Sequence, residues 1–247
     1  MKISVCIITL NEEANLARAL SSVQHIADEI VVVDSGSVDA TKSIAERFNA
    51  RWIEQEWLGY VGQKNLALAS AQHEWIFSLD ADEELSAELR NEIQALKATG
   101  APSRVGGYSI SRVVQYEGKW IRHGDWYPDR LVRLFRRAGA KFAGGKVHER
   151  LEMPGEVVSL RGELYHYSFR DAIDHWERCQ KYARLWAESQ REQGRRVSAL
   201  APLAHGFFRF LRAYILRLGF LDGRLGFRIA RYAAAEAYLK YKLLRQE

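Results

Sequence analysis

Trp75-Ile76-Phe77-Ser78-Leu79-Asp80-Ala81-Asp82-Glu83 is the stretch that decides the fold of this chain. Four of its first five residues are apolar and they do not alternate with polar ones. That is the pattern of a strand buried on both faces of a parallel sheet. The run ends abruptly in acid, at Asp80, Asp82, Glu83 and Glu84. In an open α/β sheet, ligands bind outside the carboxyl ends of the strands. Asp80 and Asp82 are two residues apart, so they point the same way if the extended geometry continues. Two hard carboxylates at a strand end suit Mg²⁺ or Mn²⁺, which prefer oxygen ligands. The plainer alternative is an acidic turn before a helix whose N-cap is Ser86.

Outward from that strand, the chain alternates. Ile3 to Thr9 and Glu29 to Val33 are apolar, β-branched strands, the second closing on Asp34, and Arg51-Trp52-Ile53 is a short third. Between them the spacing predicts helices: one capped by Asn11, with Glu12 and Glu13 in its first turn and Leu16, Leu20 and Val23 inward, and one from about Asp39 with Ile44 and Phe48 inward. Tyr60 to Ala71 is a helix of small residues, and Leu85, Leu89, Ile93 and Leu96 mark another that ends near Gly100. Strands alternating with helices predict a parallel, doubly wound sheet over residues 1–100. The pattern then changes. Gly107–Glu117 reads as a long strand and 130–136 as another. Residues 141–150 read as a Gly-containing loop, and 157–160 and 163–167 as short strands. From Asp171 to about Gln193 the chain is helical, with Ile173, Trp176, Ala183 and Trp186 inward. It is helical again from Pro202, with a break near Asp222-Gly223.

Composition narrows the class. At 247 residues, 47% hydrophobic and 27% charged, the chain is globular and large enough for one sizeable core with an appended element. No stretch reaches the ~18 uncharged apolar residues of a membrane span. The N-terminus goes straight into a strand with no cleavage-site pattern, so no signal peptide is expected. Cys6 and Cys179 lack CxxC spacing, which disfavours zinc and a disulfide framework and fits a reducing cytoplasm. The net charge of +5 is concentrated in the C-terminal third and suits an anionic partner.

Three strand ends converge on one edge of the expected sheet: Thr9-Leu10-Asn11-Glu12-Glu13, Asp34-Ser35-Gly36-Ser37 and Asp80-Ala81-Asp82-Glu83. With them stand the run Val32 to Thr41 and the pair Lys64-Asn65. On these residues the chain resembles the family-2 glycosyltransferases of the GT-A fold, over residues 1 to about 167. Trp126-Tyr127-Pro128-Asp129, Arg133-Leu134-Phe135, Val147-His148-Glu149, His166 and Gly219-Phe220-Leu221-Asp222-Gly223 make it similar, more narrowly, to the lipopolysaccharide-core β-1,4-glucosyltransferases. The resemblance implies a catalytic domain over 1–168, with a nucleotide-sugar half at 1–100 and an acceptor half at 101–168. A helical region follows at 169–247.

The resemblance implies that Thr9, Asn11 and Glu12 line a nucleotide pocket, that Asp34 hydrogen-bonds the base or ribose, and that Lys64 approaches the diphosphate. Many relatives carry two acids at the Asp34 position. Here the second is Ser35, and the stretch equally reads as a β-turn. Lys64 alone equally reads as a solvated lysine. Asp82 would bind Mn²⁺ or Mg²⁺ and Asp80 the ribose or the metal. His166 would complete the metal shell, against the alternative of a structural histidine. An inverting enzyme needs one carboxylate to take the proton of the acceptor hydroxyl. Glu149 is the candidate, with Asp129 and Asp125 as alternatives; its other reading is a surface ion pair with Arg150 or Lys146. Trp120, Trp126 and Tyr127 form either an acceptor platform or core.

At ~100° per residue, Phe207, Phe210, Leu211, Tyr214 and Leu218 share one helix face, while His205, Arg209 and Arg212 lie mostly opposite and Arg217 at the border. Such a helix suits an anionic membrane surface; the alternative is a stripe packed on the catalytic domain. The expectation is therefore a cytoplasmic, metal-dependent, inverting glycosyltransferase, peripheral at the cytoplasmic face of the inner membrane. Its donor would be UDP-glucose and its acceptor a lipid-linked saccharide, an inner-core heptose. Rivals are a transferase for another surface polysaccharide or a polyprenyl phosphate, and a nucleotide-sugar binder without turnover. A nucleic-acid partner is not expected, since no recognised motif is present. No GxGxxG follows the first strand, which disfavours a dehydrogenase.

Overall fold

The computed structural model describes residues 1–144, 149–169 and 171–245. In chain order it comprises β1 (Ile3–Thr9), α1 (Leu16–Val23), β2 (Glu29–Asp34), α2 (Thr41–Arg47), β3 (Arg51–Glu54), α3 (Gly59–Ser70), β4 (Trp75–Asp80), β5 (Glu83–Leu85), α4 (Ala87–Thr99) and β6 (Val105–Tyr116). Then come β7 (Lys119–Ile121), β8 (Asp129–Arg136), β9 (Lys141–Gly144), β10 (Glu149–Glu152), β11 (Glu156–His166), α5 (Ala172–Glu192), α6 (Ala201–Leu211) and α7 (Gly223–Arg245).

The chain divides into two compact units: residues 1–112 with 130–166, and residues 113–129 with 167–247. The second unit thus takes in 113–129 along with the C-terminal helices.

In the first unit the strand order is β3-β2-β1-β4-β8-β6-β11-β5. The N-terminal strands pair in parallel as expected: β1 lies between β2 and β4, with Thr9 level with Asp34 and Ile8 level with Asp80. This register brings the three acidic strand ends to one edge. Antiparallel pairing begins at β4–β8 and includes β11–β5, so the whole sheet is mixed. The apolar, non-alternating strands are buried on both faces. Val5, Ile7, Val32, Phe77 and Leu79 join Leu16, Leu20 and Ile93 in one core, while Cys6, Val31, Val33 and Ile76 join Ala67 and Leu68 on the other side. Ser86 caps α4 by accepting the Leu89 N–H. Gly162 of β11 lies so close to the backbone of Leu89 that a Cβ there would meet its nitrogen at 2.3 Å.

Several boundaries differ from the sequence reading. α1 begins at Leu16, not at Asn11. Asn11 adopts a left-handed backbone (φ 55°) and spends its side chain on the Val38 N–H of the neighbouring loop. Residues 156–166 form one strand, not two. The expected loop at 141–150 carries the strands β9 and β10, with 145–148 outside the described residues.

In the second unit, α5 and α6 both pack on α7. Asp171 caps α5 by accepting the Asp174 N–H. Its inward face is Asp174, His175, Cys179, Ala183 and Ala187, whereas Ile173, expected inward, is 70% exposed. Tyr116, Ile121 and Ile229 form a small core with Trp126 and Phe169, whose rings stack 4.9 Å apart. Trp126 therefore packs on this core, as its alternative reading has it. Trp120 meets Tyr167 edge to face.

His175 sits in this aromatic core with Nδ1 3.1 Å from the Tyr116 hydroxyl. Burial, helped by Arg178 and opposed by Asp174, pushes its pKa down from 6.5 to about 4. Between those values the unfolded chain binds more protons than the folded one, so stability falls as pH falls through that window. Thermal melts of wild type should lose about 2 kcal/mol more between pH 6.5 and 4.5 than melts of His175→Phe. Equal losses would place the acid sensitivity elsewhere.

Candidate active site

The parallel register builds the site. At the ends of β1 and β2, Asp34 is 1% exposed. Its Oδ1 accepts the hydroxyls of Thr9 at 2.8 Å and Ser37 at 2.5 Å, and its Oδ2 accepts the N–H groups of Gly36 and Ser37. A carboxylate has about four lone-pair directions. All are met within the protein, and Asp34 so shapes the loop after β2, the feature that the β-turn alternative describes. Gly36 supplies the left-handed position that this turn needs, at φ 92°. Thr9 is buried and committed to Asp34. Glu12 lies beside the acidic edge. Burial raises its pKa, an effect moderated by the bond from Asn15 and reinforced by Asp82, Asp39 and Asp80.

Asp80, at the end of β4, is gripped by two cations. Arg133 of β8 reaches Oδ2 at 2.6 Å and Lys64 of α3 reaches Oδ1 at 3.2 Å. Burial alone would raise the Asp80 pKa, but Arg133 and Lys64 overcome it and hold the carboxyl well below the ordinary range. Arg133 also meets Glu83 at 2.5 Å, and Arg112 meets the same carboxylate at 3.4 Å. Glu83 is fully buried, and its other oxygen accepts the Asp80 N–H at 3.1 Å. An arginine fork suits this task because its planar donors reach two carboxylates at once. Both Asp80 oxygens thus lie on cations.

Asp82 and His166 are the pair that would hold a metal ion. β11 pairs with β5 so that His166 lies level with Glu83, and its Nε2 stands 3.2 Å from Asp82 Oδ2. His166 Nδ1 is buried without a hydrogen-bond partner. Among the described residues, no three His, Cys, Asp or Glu side chains cluster as a metal site. A pair still fits Mg²⁺ or Mn²⁺, because Mg²⁺ usually keeps several waters and binds through one or two carboxylates plus substrate phosphates.

Glu149 opens β10, and its Oε1 lies 2.8 Å from Lys64 Nζ. The alternative surface pairing with Arg150 is not formed, because Arg150 pairs with Glu152; Lys146 and His148 lie outside the described residues. Lys64 is 7% exposed, so it is not the solvated lysine of the alternative reading. Of the other base candidates, Asp125 is buried between Arg209 at 3.0 Å and Arg212 at 3.4 Å, which makes it structural. Asp129 opens β8 and belongs to the second unit.

Arg133, Glu83, Arg112 and Asn65 had no assigned role in the sequence reading. A charged residue between Val132 and Leu134 in an apolar strand was the available signal for Arg133.

Comparison with known proteins gives the family. The family model for glycosyl transferase family 2 matches residues 4–155. The chain belongs to that family, and its fold is the GT-A fold. An uncharacterised glycosyltransferase of Rickettsia typhi is 34% identical, over 99% of this chain and 87% of its own. The lipopolysaccharide core biosynthesis glycosyltransferase LpsC of Rhizobium meliloti is 32% identical, over 98% of this chain and 94% of its own. Among solved structures, Staphylococcus aureus TarS superposes with a TM-score of 0.45 at 17% identity, covering 96% of this chain and 91% of the other.

Removing Arg133 leaves Glu83 buried against Arg112 alone. Breaking one partner of a buried ion pair costs ~3–5 kcal/mol. Arg133→Met should lose stability of that order in denaturant melts, and Arg133→Met with Glu83→Gln should recover part of it. Full stability of the single variant would contradict the account of this cluster.

Proposed function

We propose that this protein transfers a sugar, with inversion, from a nucleotide diphosphate donor to a lipid-linked saccharide. The donor we favour is UDP-glucose, and the acceptor a heptose of the lipopolysaccharide inner core. The observation that carries the reading is the grouping of Lys64, Asp80, Asp82, Glu149 and His166 beyond the carboxyl end of β4. The acceptor class rests on the full-length similarity to LpsC and on the sequence features shared with core glucosyltransferases.

In this reading the loops after β1 and β2, shaped by Asp34 and Asn11, enclose the nucleoside. Lys64 meets the diphosphate. Asp82 and His166 would hold Mn²⁺ or Mg²⁺, which would supply positive charge where the leaving diphosphate gains negative charge. Asp80, fixed by Arg133, faces the ribose. Glu149 takes the proton of the attacking hydroxyl as the bond to the anomeric carbon forms and the bond to the diphosphate breaks. A binder without turnover would have no use for Glu149 beside the diphosphate-binding lysine.

A lipid-linked acceptor must be met at a surface, and the second unit offers one. Leu200, Leu203, Phe207, Phe208, Leu216, Leu218, Phe220 and Leu221 are between 42% and 72% exposed. The buried positions of the same segment are small: Pro202, Gly206, Ala213 and Gly219. Gly206 packs against Ala234 and Tyr238 of α7. Small residues at the helix interface with large apolar ones outside is an arrangement suited to lipid. Arg209 and Arg212, which the helical wheel assigned to head groups, are engaged with Asp125. Insertion of apolar side chains therefore replaces arginine attraction as the main contribution. No helix among the described residues is long and apolar enough to cross a membrane.

Three outcomes are expected. Chelation by EDTA should abolish transfer, with Mn²⁺ or Mg²⁺ restoring it, and Asp82→Asn should lose most activity at unchanged stability; full activity in EDTA would remove the metal from the account. Glu149→Gln should lose ~10²–10⁴ in rate while still binding UDP; normal turnover there with a dead Asp129→Asn would move the base to Asp129. In vesicle co-sedimentation, Leu203→Ser with Phe207→Ser and Phe208→Ser should release the protein from anionic lipid with its melt unchanged. Release by salt alone, with the triple variant still bound, would restore an electrostatic mode.

A further inference from the structure

Lys64 joins two carboxylates that the proposed reaction places on opposite sides of the transferred sugar. Its ammonium lies 3.2 Å from Asp80 on the donor side and 2.8 Å from Glu149, the base. The Phe142 ring lies 5.7 Å away. An ammonium seated on Glu149 Oε1 occupies an acceptor position that an attacking hydroxyl would need. The base is therefore restrained by the residue that meets the donor.

The hairpin that carries Glu149 is held without Lys64. Asn65, the next residue of α3, donates to the Phe142 carbonyl at 2.9 Å and accepts the Phe142 N–H at 2.8 Å, and Gly144 of the same strand pairs with Glu149. Lys64 can thus move while Glu149 keeps its place. A lysine is a point charge on a flexible four-carbon stem, which permits such a move. A nucleoside diphosphate carries more negative charge than one carboxylate, and its oxygens compete directly for the ammonium.

We infer that Lys64 is a positioning residue that holds Glu149 until the donor diphosphate draws the ammonium away, so that the base is released only in the donor complex. This rests on the reading of Glu149 as base and Lys64 as diphosphate contact. It orders the reaction: an acceptor hydroxyl that arrives first finds Glu149 paired, whereas one that arrives after the donor finds it ready to accept a proton.

A zero-length cross-link reads the exchange directly on the wild-type protein. A water-soluble carbodiimide activates a carboxylate; a lysine in contact attacks it, an amide forms, and the carbodiimide leaves as its urea. Peptide mass spectrometry then counts the Lys64–Glu149 amide. The free protein should give this link, and Glu149→Gln should not. UDP with Mg²⁺, the carbodiimide being in excess over nucleotide, should abolish it. The Lys97–Asp28 pair, 2.6 Å apart, is the internal control and should link equally in both conditions. A Lys64–Glu149 link that is absent from the free protein, or equally abundant with UDP, overturns the inference. The base assignment is tested separately, by turnover of Glu149→Gln, so failure of one is not mistaken for failure of the other.

Discussion

The buried arginine of β8 is the constraint on which the site depends. Arg133 is 5% exposed and would be costly to bury alone, since an unpaired charge in the interior costs several kcal/mol. It is tolerated because Asp80 and Glu83 flank it at 2.6 and 2.5 Å. The dependence runs both ways. Glu83 has no solvent contact, and half-buried Asp80 stays ionised because Arg133 and Lys64 outweigh its desolvation. This cluster ties the parallel half of the sheet, through β4, to the antiparallel half, through β8 and β5. It fixes the backbone between Asp80 and Glu83, and so fixes where Asp82 stands relative to His166.

Three consecutive residues of α3 complete the arrangement. Gln63 donates to Ser35 at the end of β2, Lys64 reaches Asp80 and Glu149, and Asn65 closes two bonds on β9. Successive helical positions point about 100° apart, so one turn reaches three different elements. The acidic edge of the sheet and the β9–β10 hairpin are thereby positioned by the same short helix. In the proposed reaction this helix would hold the reacting groups in a near-attack geometry.

The donor half was legible in the sequence because its signals are local. Buried parallel strands show as unbroken apolar runs, and each ends on a polar cluster at the ligand edge, as at Thr9, Asp34 and Asp80. The Ser86 cap of α4 was readable for the same reason. What escaped depends on partners distant in sequence. Nothing near Asp34 reveals that Thr9, Gly36 and Ser37 saturate its carboxylate, or near Asp80 that an arginine 53 residues away takes one oxygen. The helical wheel sorted residues 203–218 by angle alone and could not show that Asp125 claims Arg209 and Arg212. Of the apolar face it marked, Phe207 and Leu218 are exposed, whereas Phe210 and Tyr214 pack on Phe227 of α7, beside the narrow contact made by Gly206. Asn11 misled as a helix cap because a capping residue and a left-handed loop residue draw on the same side-chain chemistry.

The central claim is that a single carboxylate, Glu149, assists direct attack on the anomeric carbon. Direct attack inverts the stereochemistry, and a two-step route through a covalent sugar–enzyme intermediate retains it. The decisive measurement is the proton NMR spectrum of the product formed from UDP-glucose, an α-linked donor, and a deacylated inner-core heptoside. The account predicts a β-linked glucose, recognised by the large coupling of its anomeric proton. An α-linked product would contradict it.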